Sequence, residues 1–145
     1  MSSNVRVVVD TNIFVSAIMR KNTGPREAIR QCMVGKITPL MGTALFLEYE
    51  SVISRSILFK DAPLNEKERE ELLDAFLSVS QWISTYYLWR PNLKDEADNH
   101  LIELAVAGNA EYIITRNKKD FKNSELLFPD IQIVDAGEFL LKEKE

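Results

Sequence analysis

One cysteine and one histidine, Cys32 and His100, are all that 145 residues offer of the side chains most used for nucleophilic catalysis and soft-metal binding. Disulfide frameworks, Cys/His zinc centres and His-rich metal sites are excluded in one step. A Ser-His-Asp or Cys-His nucleophile would have only these two residues to draw on. His100 falls on the polar edge of an expected helix, two residues after Asp98, and is read as solvated; Cys32, between Ile29 and Met33, is read as core. Glycine is scarce as well. Its five copies are scattered, so there is no glycine-rich phosphate loop. No apolar stretch is long enough to span a bilayer, and Met1 to Arg6 carry no signal-peptide pattern. A soluble protein of the cytoplasm is the expectation. Basic charge is short too: 18 Lys and Arg against 22 Asp and Glu leave a net charge of −4. A nucleic-acid partner would then need a local basic patch or a bridging metal.

What is present is a globular balance, 46% hydrophobic and 28% charged, which excludes a disordered or fibrous chain. The length fits one domain over residues 1–145, able to bury roughly two-thirds of its unfolded surface without a staple. Val5 to Val9 is a short apolar, β-branched run, as a strand buried on both faces requires. Further strands are expected at Ile37 to Met41, Trp82 to Leu88, Tyr112 to Thr115 and Ile131 to Val134. Helices are expected at Ile13 to Met19, Arg26 to Val34, Ala44 to Leu58 with Thr43 as cap, Glu66 to Val79 and Asp95 to Ala107. A terminal helical turn is expected at Glu138 to Lys142. Strands alternating with helices imply a parallel sheet covered on both faces.

In such a sheet the site lies beyond the carboxyl ends of the strands. Asp10 directly follows the first strand, and Thr115-Arg116-Asn117 follow the fourth. Glu48 lies early in the helix after the second strand; Asp95 and Asp98 open the helix before the fourth. Each acid also has a structural reading. Asp10 can cap the helix behind it, and Asp95 with Asp98 can form a capping box. Glu48 interrupts an apolar stretch, with Ala44 and Val52 one turn either side, and a carboxylate there is costly without a partner. Glu50 is the competing acid and is read as facing water. Carboxylates without His or Cys suit hard divalent cations, Mg²⁺ or Mn²⁺, which take oxygen ligands. Such a cation activates water and offsets phosphate charge, so an acidic protein can act on an acidic polymer.

Val7 to Ser16, with Asp10-Thr11-Asn12 and a Ser one turn later, resembles the opening of PIN domains. Phe46 to Arg55, with Glu48 followed by a large residue, is similar to their second motif. Lys94 to Asn99, continuing through Leu101, Leu104 and Ala105, resembles the third, and Tyr112 to Phe121 the fourth. The likeness runs in order from Val5 to about Asp135, and it is nearest to the compact branch that includes bacterial toxin components. The resemblance implies a three-layer α/β/α sandwich with a five-stranded parallel sheet, PIN-like and flavodoxin-like in topology. It further implies metal-dependent hydrolysis of RNA phosphodiesters. Carried over, the acidic positions are Asp10, Glu48 and Asp98, supported by Asn12 and by Ser16 or Thr115. At the fourth position Asn117 stands where an Asp often follows Thr-x, and Asp120 comes three residues later. Either Asn117 keeps a metal through its carbonyl oxygen, or Asp120 supplies the missing carboxylate. Arg116, Lys118 and Lys119 are candidates for holding substrate phosphates. Arg20, Lys21 and Arg26 form a second candidate rim.

The partners so implied are RNA, an antitoxin protein and a second copy of the chain. Leu58, Phe59, Leu73, Phe76 and Leu77 are the apolar candidates for pairing, though core packing is the expected use of most of them. Two rivals remain: a PIN-like scaffold that has lost catalysis, favoured only by Asn117, and a phosphoacceptor receiver domain. The latter needs an acceptor Asp after the third strand, where Tyr86-Tyr87-Leu88 offers none.

Overall fold

The computed structural model describes residues 5–19, 24–84, 99–121 and 128–143. Its elements in chain order are β1 (Val5–Val9), α1 (Thr11–Met19), α2 (Gly24–Met33), β2 (Ile37–Met41), α3 (Thr43–Ile53) and α4 (Glu66–Val79). β3 (Gln81–Trp82), α5 (Asn99–Ala107), β4 (Tyr112–Ile114), β5 (Gln132–Val134) and α6 (Ala136–Glu143) follow, with 3₁₀ turns at Ser56–Phe59 and Lys118–Phe121. The expected strand and helix over 82–88 and 95–107 are described only where they meet β3 and α5; 85–98 lie outside the described residues.

All five strands are parallel, in the order β3-β2-β1-β4-β5. β1 is central because Val7, Val8 and Val9 bury both faces, at 1% exposure or less. The chain steps from β1 out to β2 and β3, then jumps back to β4 on the other side of β1. With right-handed crossovers, that reversal sends α5 to the opposite face. α5 accordingly packs across β1, β2 and β4, while α2 packs with α1, α4 and α6. Three layers result. Pro39 is tolerated in β2 because β3 pairs only with Leu40 and Met41 among the described residues. Gly35, at φ 83°, supplies the left-handed turn that ends α2, with Lys36 N–H returning to Gln31 O. Gly108 lets α5 close on β2, since a Cβ there would meet Leu40 Cδ1 at 2.5 Å.

Register sets the carboxyl edge. Val9 pairs with Ile114, and Ile114 with Val134, so Asp10, Thr115 and Asp135 follow level strand ends in a row. The reversal of strand order falls between β1 and β4, where a crevice opens in sheets of this class. Asp10 and Thr115 stand on its two sides.

Two local expectations change. The helix expected to run to Leu58 stops at Ile53, because Arg69 from α4 donates to the Ile53 carbonyl at 3.3 Å and takes the place of a further turn. Arg69 is 4% exposed, also donates to Leu64 O, and lies 4.4 Å above the Phe59 ring. Thr43 is not the cap of α3; Gly42 is, with no side-chain cap bond, and Thr43 is the first helical residue. Of the apolar pairing candidates, Phe59, Leu73 and Phe76 are in the core, as expected for most of them, whereas Leu58 is 41% exposed and its neighbour Ile57 88%. Phe14, Tyr49 and Phe76 form an aromatic triangle with ring centroids 5.2 to 5.8 Å apart. Cys32 is fully buried as expected, and burial pushes its thiol up to about 12.

Candidate active site

The Asp10 carboxylate is 6% exposed and faces the end of β4. Its Oδ2 accepts the Thr115 hydroxyl at 2.7 Å and the Asn12 amide at 3.2 Å. Thr115 in turn accepts the Asn117 N–H at 3.1 Å, and the Asn12 carbonyl oxygen accepts the Arg116 N–H at 3.2 Å. These bonds, each with a side chain at one end or both, tie the turn after β4 to the turn after β1, beside the backbone bond from Asp10 N–H to Ile114 O at 3.0 Å. Asp10 does begin α1, but through its backbone carbonyl, which receives Ile13 N–H at 3.0 Å; its carboxylate is used across the crevice.

Thr11 joins this corner to α3. Its hydroxyl donates to Glu48 Oε1 at 2.5 Å and lies 3.4 Å from Asp10 Oδ1. A hydroxyl has one hydrogen, and the shorter contact takes it. The other Glu48 oxygen, Oε2, lies 3.2 Å from His100 Nε2. Beneath them, Tyr49 donates to Val9 O at 2.6 Å. The residue after Glu48 thus grips the residue before Asp10, and the aromatic triangle holds that grip from below.

The two acids are perturbed in opposite directions. Burial, with repulsion from Glu48, raises Asp10 above its ordinary value despite the hydroxyls bonded to it. The hydrogen bond from His100 holds Glu48 below its ordinary value, against its partial desolvation. Glu48 does not sit on the buried stripe of α3. That stripe is Leu45, Tyr49 and Ile53; Glu48 and Val52 form a half-buried shoulder, and Ala44 is exposed. Glu50 faces solvent, as read from sequence.

The PIN-domain family matches residues 6–119. The chain belongs to the PIN-domain family. A search of curated proteins finds no match. Among solved structures the fold is similar to a chain of VapBC2 from Rickettsia felis bound to a DNA fragment from their promoter. That chain is 20% identical, with a TM-score of 0.60 over 89% of this chain and 97% of its own length.

Within this PIN domain, Asp10, Asn12, Thr115 and Glu48 are brought together, while Asp98 lies outside the described residues, as do Asp95, Arg20 and Lys21. Ser16 is buried and accepts from Arg116 Nη1 at 3.0 Å, which fixes that exposed arginine at the rim. Asn117 is exposed, and Asp120 N–H donates to its carbonyl at 3.0 Å, so a 3₁₀ turn separates the two. Lys118 pairs with Glu138 at 2.6 Å, Lys119 is exposed, and Arg26 braces Ala17 O at 3.0 Å. No group of three or more His, Cys, Asp or Glu side chains gathers at metal-binding distance among the described residues. Nor, among them, is any helix long and apolar enough to cross a membrane.

Sequence reasoning missed Thr11 and misread His100. Thr11, between Asp10 and Asn12, looks like an ordinary helix-start residue. His100 is not solvated: its side chain is 20% exposed and packed against Glu48. A helix edge reads as polar when only its own residues are counted, whereas α3 covers this one.

Proposed function

We propose that the chain is a Mg²⁺- or Mn²⁺-dependent endoribonuclease that hydrolyses RNA phosphodiester bonds, the toxin half of a toxin–antitoxin pair. The observation that carries this reading is the Asp10 carboxylate, buried at the strand-order reversal, raised in pKa, and joined through Thr11 to a second carboxylate. An anion so placed is relieved by a cation, and the carboxylate oxygens of Asp10 and Glu48 are hard donors suited to one. Asp10 and Glu48 would hold the cation together with Asp98, with Asp120 and the Asn117 carbonyl as contributors from the turn after β4. When bound, the cation supplies an activated water and charge compensation at the phosphate.

The chain's own residues do the rest. Thr115 and Asn12 occupy Asp10 Oδ2, which leaves Oδ1 as the less engaged oxygen. Arg116, anchored on Ser16, presents a fixed positive charge at the rim, and exposed Lys119 adds a second; both suit phosphate contacts without base readout. Lys118 ties the 3₁₀ turn to α6 through Glu138. The likeness to the VapBC2 chain supports the partner part of the reading. A homodimer is part of it too, checked by light scattering.

The test is cleavage of single-stranded RNA with Mn²⁺ against an EDTA control, beside calorimetry with Mn²⁺. Metal-dependent cleavage lost in Asp10→Ala is the expected result. Absence of both binding and cleavage replaces the enzyme with a scaffold.

A further inference from the structure

Two buried side-chain atoms lack a hydrogen-bond partner among the described residues, and both are on α5: His100 Nδ1 and Glu103 Oε1. Among those residues His100 is therefore oriented by one polar contact, the 3.2 Å approach of Nε2 to Glu48 Oε2. A carboxylate oxygen accepts, so the hydrogen in this contact is His100's Nε2–H. Glu48 Oε1 already receives the Thr11 hydroxyl. Both oxygens of a half-exposed glutamate are thus pinned from opposite sides, one from α1 and one from α5.

We propose that His100 is a positioning residue that fixes Glu48 for cation binding, an inference that rests on the cation-dependent reading above. A glutamate on a half-buried shoulder has three side-chain torsions to settle, and no apolar neighbour can choose among its carboxylate orientations. Thr11 fixes one oxygen but leaves rotation about that bond. His100 removes the remaining freedom, so the carboxylate is oriented before the cation arrives. Partners that orient a ligating carboxylate typically change metal affinity roughly 10- to 100-fold when removed. His100 is also the chain's single histidine, so its ring resonances need no assignment.

The first measurement needs no metal. In ¹⁵N-labelled metal-free protein the ring should carry a hydrogen on Nε2, and Glu48→Gln should shift both ring nitrogens. Unchanged ring shifts in that variant overturn the pairing. The second is calorimetry with Mn²⁺ alone on wild type, His100→Leu, His100→Gln and Glu48→Ala. His100→Leu should bind about 10- to 100-fold more weakly, and His100→Gln, whose amide nitrogen reaches the Nε2 position, should recover most of the loss. If His100→Leu does not fold, His100→Asn replaces it, since its shorter side chain cannot reach Glu48. Wild-type affinity in the Leu or Asn variant, with binding abolished in Glu48→Ala, overturns the role of His100 and leaves the cation site standing. No Mn²⁺ uptake by the wild type overturns the site itself, and the positioning role with it.

Discussion

Asp10 is held by strand ends and Glu48 by side chains, and the two carboxylates respond in opposite ways. Asp10 follows β1 at a position dictated by the register with β4, nearly sealed from water, and burial raises its pKa. Glu48 rides on the half-exposed shoulder of α3, and His100 lowers its pKa. The backbone of the first moves only with the central sheet, and Thr115 and Asn12 hold its carboxylate. The second can turn about its own bonds and depends on Thr11 and His100 to stay. A site assembled this way has one rigid wall and one adjustable wall. The stability cost of gathering negative charge falls mainly on the rigid wall.

Removing either wall should have the largest effect. Asp10→Ala and Glu48→Ala are each expected to bring Mn²⁺-dependent RNA cleavage down to the EDTA background, measured with single-stranded RNA. The turn after β4 decides whether a third wall exists. Asp120→Ala should lose cleavage nearly as completely, whereas Asn117→Asp should change it little, because Asp120 already supplies the charge. A silent Asp120→Ala with a gain from Asn117→Asp reverses that assignment.

Stability separates the two acids next. Because Asp10's folded-state pKa lies above its unfolded value, the ionised group works against folding at neutral pH. Asp10→Asn should therefore melt higher than metal-free wild type at pH 7. The gap should close as pH falls through Asp10's raised folded-state value. Glu48 has the opposite sign: its contribution is present above its unfolded pKa and is lost as pH falls through the lowered folded value. Glu48→Gln should accordingly lose stability at neutral pH and approach wild type in acid. Saturating Mn²⁺, at a hundredfold excess over its Kd, should stabilise wild type by about 2.7 kcal/mol and leave Asp10→Asn unmoved. Thermal melts across pH, with and without Mn²⁺, check all of these.

Smaller effects sharpen the picture. Tyr49→Phe removes the bond to Val9 O that ties the walls together, at about 1 kcal/mol, read in a urea titration. Lys118→Ala breaks an exposed pair with Glu138 and should cost less than about 1 kcal/mol.

Much of the rigid wall could be read before any coordinates. An acid that ends a β-branched run, and a Thr that ends another, identify strand ends directly, and strand ends are where parallel sheets carry their sites. The cysteine was legible for a similar reason, flanked by Ile29 and Met33 on its helix. The adjustable wall was much less so. Glu48 could be singled out as a carboxylate among apolar residues, but its partner His100 lies 52 positions on, and helical periodicity does not reveal which helix covers which. The stop of α3 at Ile53 was hidden for the same reason, since the group that ends it, Arg69, comes from the next helix.

The buried cysteine has a practical consequence. Cys32 is alone in the chain, fully covered, and carries a thiol whose ionisation is pushed up to about 12. The thiolate is the nucleophile that attacks a thiol-selective reagent, and almost none is present while α2 stays seated between α1, α4 and α6. Modification must wait for the chain to open, and its rate then reports the opening. The protein carries its own unfolding clock, and any ligand that tightens the fold will be seen to slow it.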